Sequence, residues 1–169
     1  MQKITPSLWF DKEAEEAMKF YIDIFNSAPN KKAESKIVGI TRYPDDQQVG
    51  PMKDMGGKVL NGIFELAGQR FICLDGGPIF KFNESISLYV EVADQEELDY
   101  YWNALSAVKE SEQCGWLKDK FGLSWQIIPA RMGELLGDPD KEKAGRAMQA
   151  MLQMHKIDIA ALEKAYKGE

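Results

Sequence analysis

The sequence predicts an α+β fold of two βαβββ modules in tandem, followed by C-terminal helices. Three observations carry this. The apolar helix residues Ala14, Ala17, Met18 and Tyr21 recur 84 positions later as Leu98, Tyr101, Trp102 and Leu105. A glycine-turned hairpin is also written twice, as "LAGQRFICL" and "KFGLSWQII", with Gly68 and Gly122 54 positions apart. Past Pro129 the strand-like alternation gives way to helical spacing. The expected division is a pair of modules over residues 1–129 (1–77 and 78–129), then a helical extension over 130–169. A matched repeat of this size implies two copies that bury one surface against each other.

Taken in order, Lys3 to Phe10 is rich in β-branched and aromatic residues and reads as a strand. Asp11 is placed to cap the following helix, with Glu13, Glu15 and Glu16 favouring the positive end of its dipole. Ala14, Ala17, Met18, Tyr21 and Phe25 follow the i, i+3, i+4, i+7 rule, and Asn26 to Asn30 supply the stop. Arg42 to Gly57, containing "YPDDQQVGPMKDMGG", reads as a long loop. Its length exceeds that of ordinary connections and marks it as a candidate lid. "SISLYVEVADQEELDYYWNAL" then repeats strand, capping aspartate (Asp94) and helix. In the extension, Asp138 followed by Pro139 predicts a helix start. Ala144, Ala147, Met148, Met151 and Leu152 form its apolar stripe, and Asp158 opens a last helix with Ile159, Leu162 and Tyr166 on one face.

Bulk properties exclude several function classes. The 169 residues are 44% hydrophobic and 28% charged, enough for an ordinary globular core. A net charge of -6 argues against nucleic acid or an anionic membrane as the main partner. No apolar run approaches the ~18 residues of a membrane span. Cys73 and Cys114 make neither a CxxC pair nor a disulfide framework, which suits a reducing compartment. "MQKITPSLWF" lacks a signal-peptide apolar core, so the expectation is a complete, cytoplasmic chain.

The doubled pattern, with "AEEAMKFYIDIF" in its first helix, resembles the vicinal oxygen chelate superfamily of glyoxalase I, bleomycin- and fosfomycin-resistance proteins and extradiol dioxygenases. "ITPSLWFDKEAEEAMKFY", "GQRFICLDGGPIFKFNESIS", "DQEELDYYWNAL", "CGWLKDKFGLSWQIIP" and "AMLQMHKIDIAALEKAY" are more closely similar to its PhnB-like subgroup, often labelled as a "3-demethylubiquinone-9 3-methyltransferase" domain. The resemblance implies a glyoxalase/bleomycin resistance-like fold whose sheets curl around clefts. Metal-dependent relatives place His, His and Glu ligands on the first and last strands of the modules.

In this chain those positions hold other chemistry. On the first strand the place falls at Ile4 or Pro6, on the second-module strand at Ser87, and on the last strand at Gln126. A hydroxyl and a neutral amide make a poor transition-metal site, so no metal is expected. His155, the one histidine, lies in the helical tail. "LDGGP" is followed by no helix, which speaks against a conventional S-adenosylmethionine site, and no cofactor is expected. Cys73 reads as an inert buried thiol and Asp119 as turn chemistry.

What remains is a small-molecule pocket. Alternation turns Leu88, Val90 and Val92 toward the helix and Ser87, Tyr89 and Glu91 toward the cleft. Gln126 points opposite to Trp125 and joins them. Trp9, Phe71, Phe80, Phe82, Trp116, Phe121 and Trp125 supply aromatic surface, most of it core. The candidate ligand-binding set is Trp9, Asn83, Ser87, Tyr89, Glu91 and Gln126. The leading expectation is a metal-free protein that binds a small organic molecule as a homodimer. The alternatives are an enzyme of the superfamily, including the methyltransferase of the family label, and a structural or regulatory homodimer.

Overall fold

A computed structural model describes residues 3–46 and 53–169. Positions 47–52, the middle of the expected lid, fall outside the described residues. The chain divides into two compact units, Met1–Phe82 and Asn83–Glu169.

The first unit is a full βαβββ module. It runs β1 (Ser7–Phe10), α1 (Ala14–Ser27), β2 (Lys36–Arg42), β3 (Val59–Leu66) and β4 (Gln69–Asp75). The sheet order is β1-β4-β3-β2, with β1 parallel to β4 and the other pairs antiparallel. The first strand begins at Ser7, later than its composition suggests, although Pro6 still accepts a hydrogen bond from Ile72 N at 2.9 Å. Leu8, Phe10, Phe64, Phe71 and Cys73 form the buried face under α1, whose Ala14, Ala17, Met18 and Tyr21 are fully enclosed. Burying each of the larger side chains contributes about 1.5–3 kcal/mol. Gly62 permits the close approach, because a Cβ there would lie 2.8 Å from Cys73 Sγ and 3.0 Å from Met18.

The expected cap by Asp11 is not made. The helix starts at Glu13–Ala14 without a local side-chain cap, and Asp11 Oδ1 is buried without a hydrogen-bond partner. Asp75, from the far end of β4, takes the role. Its Oδ1 accepts from Ala14 N at 2.8 Å and its Oδ2 from Val59 N at 2.9 Å. The roots of the long loop converge on the same residue: Tyr43 OH donates to Asp75 O, and Tyr43 exchanges backbone bonds with Gly57 and Lys58.

The second unit runs β5 (Ser87–Val92), α2 (Gln95–Leu105), β6 (Trp116–Lys118), β7 (Ser124–Pro129), α3 (Met132–Leu136), α4 (Lys141–Leu152) and α5 (Ile159–Lys167). Its sheet has three strands, in the order β5-β7-β6. Between α2 and β6, where the pattern expects a further strand, Lys109–Ser111 forms a single 3-10 turn and Gln113 makes one isolated bridge to Trp116. Here the expected cap is present: Asp94 accepts from Glu97 N, and the Glu97 carboxylate accepts from Ala93 N, a reciprocal arrangement at the helix start. Leu98, Tyr101, Trp102 and Leu105 are all buried, as the repeat requires.

The extension belongs to this unit. Cys114 N donates to Met154 O and Gly115 N to His155 O, both at 2.8 Å. The N-cap of α4 is Asp140, which accepts from Glu142 and Lys143; Asp138 instead organises the turn before it and accepts from Tyr166 OH. The stripe on α4 is buried at Ala144 and Ala147, while Met148 and Leu152 are 46% and 51% exposed. Asp158 caps α5 as expected, and Leu162 is fully buried. Among the described residues no helix is long and apolar enough to cross a membrane.

Candidate functional site

The register of the second sheet decides which side chains meet. In β7, Trp125 and Ile127 turn toward α2 and are buried, so Ser124, Gln126 and Ile128 take the opposite face. Ser87 pairs with Ser124, Tyr89 with Gln126 and Glu91 with Ile128 across the parallel ladder. Across the antiparallel ladder Trp116 pairs with Gln126 and Lys118 with Ser124. Ser87, Tyr89, Glu91 and Gln126 therefore share the face away from the helix, as alternation predicts.

Gln126 Nε2 donates to Ser87 Oγ at 2.8 Å, joining two positions that the superfamily resemblance assigns to metal ligands. Beside them Ser124 is 1% exposed, and its Oγ has no hydrogen-bond partner. Lys118 closes the row through an ion pair with Glu84. Burial, and after it the charge of Glu91, raises the Tyr89 phenol above its ordinary range. Beyond this row Ile128 is buried against Gly115, where a Cβ would lie 2.6 Å from it and 3.3 Å from Ile157.

The other two candidates stand elsewhere. Asn83 forms a local turn, its Oδ1 accepting from Ser85 N and Oγ. Trp9, in the first unit, donates from Nε1 to Gly77 O at 2.9 Å and meets Phe80 edge-on at 5.0 Å. Of the aromatic set, Phe71 and Trp125 are core residues on the helix faces. Phe82 packs on Phe10, Lys120 lies over Phe121, and Trp116 stands on the Gln126 face. Ser124 was not singled out from the sequence, although the period-two alternation that selects Gln126 also selects it. Trp116 was placed only in the general aromatic lining.

The metal implied by the superfamily does not fit the residues present. The Ser87 hydroxyl and the Gln126 amide are uncharged and bonded to each other, and Ile4 lies outside β1 and is exposed. Among the described residues no group of three or more His, Cys, Asp or Glu side chains could hold an ion. His155 is exposed and sits against Glu112 O. The "DGG" turn likewise has a packing explanation. A Cβ at Gly76 would fall 2.2 Å from the Trp9 indole, and Gly77, at φ 81°, accepts that indole's N–H. No helix follows it to receive a nucleotide.

Cys73 is a fully buried thiol on the helix face of β4. Burial, and secondly the charge of Asp75, pushes the Cys73 thiol up to about 12. A pocket of about 530 Å³ in the second unit lies apart from the amide–hydroxyl pair, lined by Asp94, Gln95, Arg131 and Lys156 among others. Its cations are already paired, Lys156 with Asp99 and Arg131 with Glu163.

A family model described as 3-demethylubiquinone-9 3-methyltransferase matches residues 2–128. A solved PhnB protein from Bacillus cereus, provisionally named a 3-demethylubiquinone-9 3-methyltransferase, is 38% identical with a TM-score of 0.60, covering 76% of this chain and 100% of that one. The chain belongs to this family. Protein PA1353 from Pseudomonas aeruginosa, at 16% identity and a TM-score of 0.56 over 76% of this chain and 98% of that one, shares the fold. No curated protein matches the chain. This PhnB-like placement agrees with the resemblance to the vicinal oxygen chelate superfamily. The family match ends at residue 128, before the C-terminal helices.

Proposed function

We propose that this PhnB-like protein binds a small organic molecule on the open face of β5, β6 and β7, without a metal or S-adenosylmethionine. The observation that carries the reading is the Gln126–Ser87 hydrogen bond. It places a neutral amide and hydroxyl where charged metal ligands would be needed, on a face flanked by aromatic rings. A few polar anchors set in aromatic surface are the ordinary make-up of a small-ligand site. The expected form is a cytoplasmic homodimer.

Ligand-observed NMR with a library of small organic compounds tests this on the full chain. Hits that bind the wild type and are lost in both Gln126→Ala and Ser87→Ala support the site. Hits that ignore both substitutions place binding elsewhere and refute it.

A further inference from the structure

The open face of the second unit is ordered in rows. One row across the three strands is Tyr89–Gln126–Trp116, and the next is Ser87–Ser124–Lys118. Adjacent strands are about 4.8 Å apart, so Tyr89 and Trp116 stand on strands about 9–10 Å apart, with glutamine between them. Two aromatic side chains at that spacing can lean inward and take one flat ring between them, in contact with both at about 3.5 Å. Tyr89 is 56% exposed and Trp116 half-buried. Neither ring packs on another aromatic ring among the described residues.

The floor of the slot selects chemistry as well as shape. Gln126 spends one N–H on Ser87, which leaves the carbonyl oxygen and a second N–H to face a ligand. An adjacent acceptor and donor on one carboxamide complement a lactam, imide or similar ring amide, which offers the reverse pair on one edge. The nearby charges do not favour an ion: Lys118 is neutralised by Glu84, and Glu91 stands one pair further along the strand.

We infer that the Tyr89–Gln126–Trp116 row binds a planar, uncharged ring carrying an amide-like carbonyl edge, with the ring between the two aromatic side chains and the edge on Gln126. This rests on the small-molecule site proposed above and names its ligand class.

The test uses three probes on the full chain: 2-quinolinone, its saturated non-planar counterpart decahydroquinolin-2-one, and the anion quinoline-2-carboxylate. Affinities come from NMR titration, with the Gln126 side-chain amide resonances as the local reporter. The expected result is at least tenfold tighter binding of 2-quinolinone than of either other probe. Trp116→Leu and Tyr89→Leu should each remove most of the planar preference, and Gln126→Leu should remove binding of the lactam. Equal affinity for the planar and saturated lactams, or preference for the anion, overturns the ligand class while leaving the site intact if Gln126→Leu still abolishes binding. Binding of all three probes that is untouched by Gln126→Leu, or binding of none of them, overturns the inference; the former also sinks the site itself.

Discussion

The two copies of the module hold the same strand–helix–hairpin pattern with different bonds. In the second, the helix cap is local: Asp94 and Glu97 satisfy the start of α2 within four residues of chain. In the first, Asp11 stands one residue off the place corresponding to Asp94 and caps nothing, while Asp75 does so from 61 residues away. The hairpins differ in the opposite sense. The first turns on Ala67 and Gly68, both with positive φ (48° and 86°), the signature of a two-residue turn. The second wraps a longer turn around the buried carboxylate of Asp119, which accepts from Phe121 N, Leu123 N and Trp125 Nε1. A repeated pattern thus preserves which residues are buried more faithfully than which polar groups hold them.

Substitutions can break this comparison, and the largest effect belongs to Asp119. Asp119→Ala strands two backbone donors and a buried indole N–H, and should cost about 3–4 kcal/mol. Urea unfolding reads this directly; a loss under 1 kcal/mol would mean that the turn is held by its backbone alone.

Asp75→Ala comes next, at about 2–3 kcal/mol, since it removes the acceptor for two buried N–H groups at once. Asp75 also carries a pH signature. Burial raises its carboxyl above the ordinary range against the opposing effect of its backbone donors. A carboxyl raised in the folded state favours folding in its protonated form. Its contribution is therefore fully present below the unfolded value near 3.8 and is lost as pH rises through the folded value. The half-buried, ion-paired carboxylates with lowered values, Glu15 and Asp99, slope the other way, their contribution being lost as pH falls. The difference between wild type and Asp75→Asn across pH 3–7 isolates the one from the others. A flat difference would contradict the assignment.

The caps are expected to separate by about 1 kcal/mol. Asp94→Ala should cost that much, and Asp11→Ala close to nothing, measured by thermal unfolding. Equal losses would restore the symmetry that the sequence suggests. Smallest and most alike are Gly68→Ala and Gly122→Ala, each at φ 85–86° with no close contact, at about 1 kcal/mol or less. A large difference between them would show that one turn carries strain the other does not.

Much of this molecule was legible because burial leaves periodic traces. Ala14, Ala17, Met18 and Tyr21 and their counterparts in α2 were identifiable from spacing alone, as were the direction of Gln126 and the turns at Gly68 and Gly122. What spacing cannot show is a polar bond between distant residues. Asp11 obeys the local grammar of a cap, yet a partner at the end of β4 displaces it. In the extension, Asp138 and Asp140 satisfy the same grammar two residues apart, and the geometry of the turn chooses the second. The sheet of the second unit lacks a fourth strand because a 3-10 turn at Lys109–Ser111 occupies the connection from α2 to β6, which the hairpin match alone does not reveal. On the proposed face, the common direction of Ser87, Tyr89, Glu91 and Gln126 was readable by alternation. Asn83 was not, because a residue outside a regular strand has no period to place it.

The central claim is that the Ser87–Gln126 face is an organic-ligand site and not a metal centre. Native mass spectrometry with elemental analysis, on protein purified without chelators and compared with Gln126→Ala, tests it most directly. The account predicts no stoichiometric transition metal and a non-covalent organic adduct that the substitution removes. A stoichiometric metal present in the wild type and lost in Gln126→Ala would contradict it.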